Sequence, residues 1–224
     1  MSTDIGFDAQ TPSLPAGGGA VSGLGQTFTP DLSTGSGSFA IPLDAPNGPG
    51  DIGPRLHLRY ATGQGNGPYG LGIVLPLPRL VRSTAHGFPG YEDDDTLLLE
   101  GAGELVRTAA GFRPQVDGGG WRASARGAGF ACLDREGNEY LLGTTAAAQL
   151  SDAGRVFAWH LEQVSDALGN TARFTWTRDG GQLYLATVSY GIYQLVLDYE
   201  PRPDVIRDGR AGFLVTTALR CRQV

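Results

Sequence analysis

The chain has 224 residues, a formal net charge of −6, 35 glycines and 14 prolines. Its 17 basic residues are all arginines, scattered along the chain, so no basic patch supports a nucleic-acid partner. No run of about 18 apolar residues offers a transmembrane segment, and the N-terminus lacks the basic and apolar regions of a cleaved signal peptide.

The glycine share is about twice the usual ~7% and suits many short strands joined by turns. Residues 1–12 read as a flexible N-terminus and residues 13–224 as one β domain. The first piece of that domain, SLPAGGGAVSGLGQTFTPDLSTGSGSFAIPL, cannot form a helix, because each glycine costs about 1 kcal/mol against alanine there. It reads as extended Gly/Ser/Pro-rich chain laid over another surface. Phe39, Ile41 and Leu43 alternate with Ala40, Pro42 and Asp44, as in an edge strand.

Residues 55–60 give the clearest strand. Leu56, Leu58 and Tyr60 share one face, and Arg55, His57 and Arg59 the other. GQGNGPYGLG follows, then IVLPLPRLV, where Pro76 and Pro78 fit an edge strand or a polyproline-like ribbon. Residues 95–99 and 104–107 flank GAG as a hairpin. A second hairpin brackets Arg135, Glu136 and Gly137. Strands are then expected over 155–164, 171–176, 183–189, 193–199 and 212–222, joined by DALGN, RDGGQ, YGI and RDGRAG turns. No convincing helix is visible. The fold class is all-β, an antiparallel β-sheet meander.

Few residues suggest chemistry. Gly65, Gly67 and Gly70 spell GxGxxG after a strand, but a nucleotide site needs a helix to open there. Pro68 and the following LGIVLPLP forbid one. Gly65, Gly67, Gly70 and Gly72 therefore read as structural turn glycines that let the backbone bend and approach neighbours. The acidic run Glu92-Asp93-Asp94-Asp95 lacks the alternating ligands of a calcium loop and reads as a solvated loop. Glu100 with Glu104, or Glu136 with Glu139, could be posed as a glycosidase pair, yet nothing nearby suggests a sugar cleft. Cys132 and Cys221 form no CxxC motif and read as two buried thiols. His57, His86 and His160 have no metal spacing. No catalytic residue, cofactor or metal is expected. Trp121, Trp159 and Trp176 lie mostly on strands with Tyr184, Tyr190, Tyr193 and Tyr199. They read as core or cross-strand pairs; a glycan platform is the sharper alternative.

Three segments together resemble a known family. SLPAGGGAVSGLGQTFTPDLSTGSGSFAIPL, GPRLHLRYATGQGNGPYGLGIVLPLPRLVR and PGYEDDDTLLLEGAGELVR look like the SpvB domain. That domain is N-terminal in the B components of insecticidal Tc toxin complexes and in the Salmonella plasmid virulence protein B. RVFAWHLEQVSDALGNTARFTW, DYEPRPD and RAGFLVTTALRCRQV continue the pattern in order, and DALGNTARFTW also looks like an Rhs/YD-repeat unit. The resemblance spans about 13–224.

It implies a noncatalytic part of a larger Rhs-like β-shell that encloses a toxic polypeptide. The implied partners are downstream segments of the same B component, the toxin C component and the pore-forming A component. The implied location is extracellular, within a complex assembled in the bacterial cytoplasm and exported without a cleaved signal peptide. The actin ADP-ribosyltransferase activity of the Salmonella protein sits in a separate C-terminal domain, whose ExE motif is absent here. Relatives continue past RCRQV into further shell strands, so the chain is expected to be an N-terminal fragment. Its last strand, with Phe213, Val215 and Leu219, is the candidate partner edge. From a different class, an extracellular glycan- or protein-binding β module remains the alternative.

Overall fold

The structure, a computed structural model, describes residues 29–31, 36–43, 45, 46, 48, 56–116 and 118–224. The expected flexible N-terminus lies outside them, as does most of the first glycine-rich segment. Among the described residues there is no α-helix, and one short 3-10 turn occurs at Ala146–Ala148.

The first sheet is built from β1 (Thr29–Asp31), β2 (Ser36–Pro42) and β3 (His57–Ala61). A small hairpin follows, β4 (Asn66–Gly67) and β5 (Gly70–Leu71), and then β6 (Ile73–Val74). The sheet order is β1-β2-β3-β6, all antiparallel, with Tyr60 opposite both Phe39 and Ile73. The Phe39 and Tyr60 rings stack at 5.1 Å, as cross-strand aromatic pairs do. Residues 75–78, LPLP, form no strand; proline supplies no ladder donor.

A meander comes next: β7 (Arg79–Arg82), β8 (Leu97–Leu99), β9 (Gly103–Thr108), β10 (Gly111–Pro114), β11 (Arg122–Arg126), β12 (Gly129–Leu133) and β13 (Glu139–Leu142). Each strand pairs with the next. β14 (Gln149–Asp152) leads into β15 (Arg155–Ser165). Ala158, Trp159 and His160 of β15 pair with β7, while Leu161 to Ser165 pair with β13. That double pairing closes β7 to β13 and β15 into a barrel, which removes its open edges. The sequence anticipates the meander but not its closure.

The ladder then leaves the barrel. β14 pairs with the first half of β15, and β16 (Thr171–Asp179) with its last residues. β17 (Gln182–Tyr190) and β18 (Tyr193–Val196) extend the sheet. β19 (Asp198–Asp208) and β20 (Val215–Gln223) form a final hairpin. The strand expected over 193–199 is thus broken at Leu197, whose N–H still serves Ala186 of β17.

The core sits in the barrel. Leu80, Leu99, Leu142 and Leu161 are fully buried, with Cys132 and Trp159 among them. Two hairpin turns, Asp134–Asn138 and Asp166–Asn170, are built alike. In each, the aspartate carboxylate accepts both the backbone and side-chain N–H groups of the asparagine four residues on. In each, the glycine before the asparagine is left-handed, at φ 84° and 85°, where a side chain would be strained. Glu139 pairs with Ser165, so the two turns lie side by side at one end of the sheet.

Candidate functional site

The structure brings the turn glycines to the C-terminal hairpin, and Arg202 makes the junction. Between Pro201, opposite Leu219, and Ile206, opposite Thr217, residues 202–205 bulge out against Ala218 alone. Such a bulge re-aims a side chain. Here it turns Arg202 into the interior, where its side chain is 3% exposed. The guanidinium donates to the carbonyl of Gly67 (2.9 Å), to Oδ1 of Asn66 (2.8 Å) and to both carboxylate oxygens of Asp204 (3.1 and 2.9 Å). Asn66 closes the triangle by donating to Asp204 at 2.9 Å. These bonds from Arg202, then Asn66, hold the Asp204 carboxyl well below the usual carboxylate range. A planar fork of donors is what an arginine, and not a lysine, supplies.

The rest of the turn is seated beside the clasp. Cys221 N–H donates to the Pro68 carbonyl at 2.7 Å. Burial pushes Tyr69 up to about 12, and the Tyr199 hydroxyl donates to the Leu185 carbonyl at 2.9 Å. Asn66, Tyr69, Leu71, Glu200, Arg202 and Arg220 line a cleft of about 390 Å³ at this seam. Of the four turn glycines, Gly70 (φ 110°) and Gly72 (φ 76°) are left-handed. A Cβ on Gly72 would also lie 2.7 Å from the Tyr60 ring. Gly65 and Gly67 have neither constraint, so for them backbone geometry does not require glycine. The chain after Gly70 enters β5 and β6, and no helix N-terminus faces the GxGxxG run.

Along the expected partner edge, Val215 is buried, and Phe213 and Leu219 are half-buried. Thr216 N–H donates to Gly180, those of Ala218 and Leu219 to the buried Tyr184 hydroxyl, and that of Cys221 to Pro68. Partners from outside the β19–β20 pair therefore engage this strand along its length. What is open is the apolar surface at its start. Leu214 (61% exposed) and Phe88 (77% exposed) flank a shallow groove with Pro89, Tyr91, Arg155 and Phe213.

Tyr91 anchors that groove with a left-handed backbone, φ 62°, a conformation bulky residues rarely adopt. Asp95 fixes it by accepting the N–H groups of Gly90 and Tyr91. Asp95 also pairs with Arg82 at 2.5 Å. Burial pushes the Asp95 carboxyl up, but those N–H donors and Arg82 outweigh it and leave it below the ordinary value. Guanidinium groups of Arg82 and Arg155 lie 5.2 and 5.6 Å from the Tyr91 ring centre, within cation–π range. The Tyr91 hydroxyl donates to the Ala211 carbonyl. The acidic run is thus not wholly solvated: Asp95 is structural, while Glu92, Asp93 and Asp94 are exposed.

The remaining singled-out residues serve packing. Glu100 pairs with Arg79, Glu136 with Arg135 and Glu139 with Arg126, while Glu104 accepts from Ser83. The Trp159 and Trp176 indoles donate to the carbonyls of Ala128 and Leu161. Trp121 packs on Tyr140 at 5.0 Å. Both cysteines are free; Cys132 is buried, and burial pushes its thiol up to about 12, whereas Cys221 is half-buried rather than fully so. Among the described residues no group of three or more His, Cys, Asp or Glu could hold a metal ion. None of their helices is long and apolar enough to cross a membrane.

Comparison with known proteins supplies the context. The SpvB family, described as Salmonella virulence plasmid 65kDa B protein, matches residues 32–121. The mono(ADP-ribosyl)transferase SpvB of Salmonella choleraesuis (strain SC-B67) is 30% identical over 204 residues, covering 76% of this chain and 33% of that protein. The chain thus spans about a third of the length of the curated relatives it matches. The crystal structure of TcdB2-TccC3 superposes with a TM-score of 0.80 at 22% identity, covering 96% of this chain and 14% of that one. The N-terminal domain of effector protein SpvB from Salmonella typhimurium strain LT2 gives 0.70 at 21% identity, covering 81% of this chain and 86% of that one. At these identities the two structures establish a shared all-β fold.

Proposed function

Since this chain carries an SpvB domain, we propose that it is a noncatalytic structural module of a bacterial toxin-complex B component or virulence protein. It contributes wall and partner surface to a toxin-encapsulating β-shell. The carrying observation is the shared fold: nearly the whole chain superposes on a small part of TcdB2-TccC3. The polar side chains fit this reading, since the buried and half-buried ones brace strands and turns. Arg202, Asp95 and the two Asp–Asn turns each bond to their own backbone surroundings.

In this reading the partners are downstream segments of the B component, the C component and the pore-forming A component. The complex acts outside the cell. Gly70 and Gly72 are the structural turn glycines, and the partner surface is the groove just before the last strand, lined by Phe88, Phe213 and Leu214. The named relative is a mono(ADP-ribosyl)transferase, but this chain matches a third of it, and the proposed role needs no such activity.

Two assays test this. Incubation with NAD and actin is expected to give no ADP-ribosylation; saturable transfer would overturn the noncatalytic role. Co-expression with a Tc C component and the remaining B-component sequence is expected to yield a complex that survives gel filtration. Separate elution of a folded chain would overturn the wall role.

A further inference from the structure

The first sheet and the barrel are two hydrogen-bonded bodies. β1, β2, β3 and β6 pair among themselves, and none of them pairs with a strand of the barrel or of the C-terminal hairpin. The chain passes from one body to the other through 75–78, LPLP, which is in no strand. Proline fixes φ and limits the residue before it, so this connection is a stiff tether. Apolar contact across the seam is modest: Leu56 is buried in the barrel cluster, with Leu43, Ala45, Tyr69, Leu75 and Leu77 partly buried against it.

The β4–β5 hairpin reaches from beside the first sheet to the C-terminal hairpin, where it is gripped by residues of β19 and β20. Arg202 reaches two of its groups, the Gly67 carbonyl and the Asn66 side chain. Asp204 takes the Asn66 amide. The Pro68 carbonyl receives the Cys221 N–H near the end of β20. Farther back, β20 is served by Gly180 and Tyr184, which belong to the β16–β17 hairpin. So the hairpin covers the last stretch of β20.

We infer that the 63–72 hairpin is a latch: Arg202 holds the first sheet closed over β20, and release of the latch frees both the sheet and the end of the strand without opening the barrel. An uncovered strand end is a pairing edge, so the latch also keeps that edge from other chains. Local opening of this kind follows weakly packed, polar seams.

Hydrogen exchange of the full chain tests it, comparing wild type with Arg202→Ala and with the milder Asn66→Ala. Amides in 57–74 and 219–223 should exchange at least tenfold faster in Arg202→Ala. Those of β8 to β13 should stay within about twofold of wild type. Asn66→Ala should show the same regional pattern at smaller amplitude, and it decides the matter if Arg202→Ala does not fold. Equal acceleration in barrel and sheet would make the molecule one cooperative body and overturn the inference. Unchanged exchange in 57–74 in a folded variant would overturn it as well.

Discussion

The barrel and the seam under the first sheet are held by different physics. The barrel is a closed ladder around leucines that are almost wholly removed from water. Its stability is spread over many small contacts, none of which is indispensable in kind. At the seam, one arginine satisfies a carbonyl, an amide and a carboxylate at once. There the cost of a change is concentrated, because one side chain, itself 3% exposed, carries all of these bonds at once. Distributed apolar packing tolerates conservative change, whereas a polar clasp fails as a unit.

Substitutions can sharpen that contrast. Trp159→Ala should have the largest effect, a loss of about 3–5 kcal/mol in chemical denaturation. The ring packs edge-on against Phe130 at 5.1 Å, and its N–H is bonded to Ala128. Arg202→Ala should cost about 2–3 kcal/mol, and Arg202→Lys should recover little of it, since a compact ammonium lacks the planar fork whose separate nitrogens reach these acceptors. Near-complete rescue by lysine would show that charge, not the fork, matters. Gly72→Val should destabilise by about 2 kcal/mol, from left-handed strain plus the collision with Tyr60. Gly67→Val should stay within about 0.5 kcal/mol. Thermal melts of the pair would reverse this ranking only if the turn adopts another backbone.

Acidity gives a smaller and graded effect. His160 is buried, and burial, then Arg79, pushes it down to about 3. The unfolded chain therefore binds this proton from about pH 6.5 downward while the folded one does not. Stability from neutral His160 is full above about 6.5 and lost progressively as pH falls toward 3, at about 1 kcal/mol per unit. The Asp95 and Asp204 carboxyls, held low, give up their share only below the ordinary carboxylate range. Urea midpoints from pH 7.5 to 4.5 should decline in wild type and decline less in His160→Gln. Parallel slopes would remove His160 from the account.

Much of the barrel was legible because its signals are local. The turn signals at Arg135–Gly137 and in DALGN each specify a hairpin within a dozen residues. Closure was not legible, since it depends on two halves of β15 choosing different neighbours, β7 far back in the chain and β13 near by. The clasp was hidden for a related reason. The strand expected over 193–199 stops before Pro201 and Pro203, yet β19 runs on to Asp208 around a bulge at those prolines. The turn glycines were found, but what grips them lies about 135 residues away.

The surface claim is tested most directly at Phe88 and Leu214, which are exposed and carry no internal bond to lose. The double variant Phe88→Asp, Leu214→Asp should melt within about 0.5 kcal/mol of wild type. Its co-elution with a Tc C component and the remaining B-component sequence should fall at least tenfold. Undiminished assembly by a normally folded double variant would contradict the assignment of this groove as partner surface.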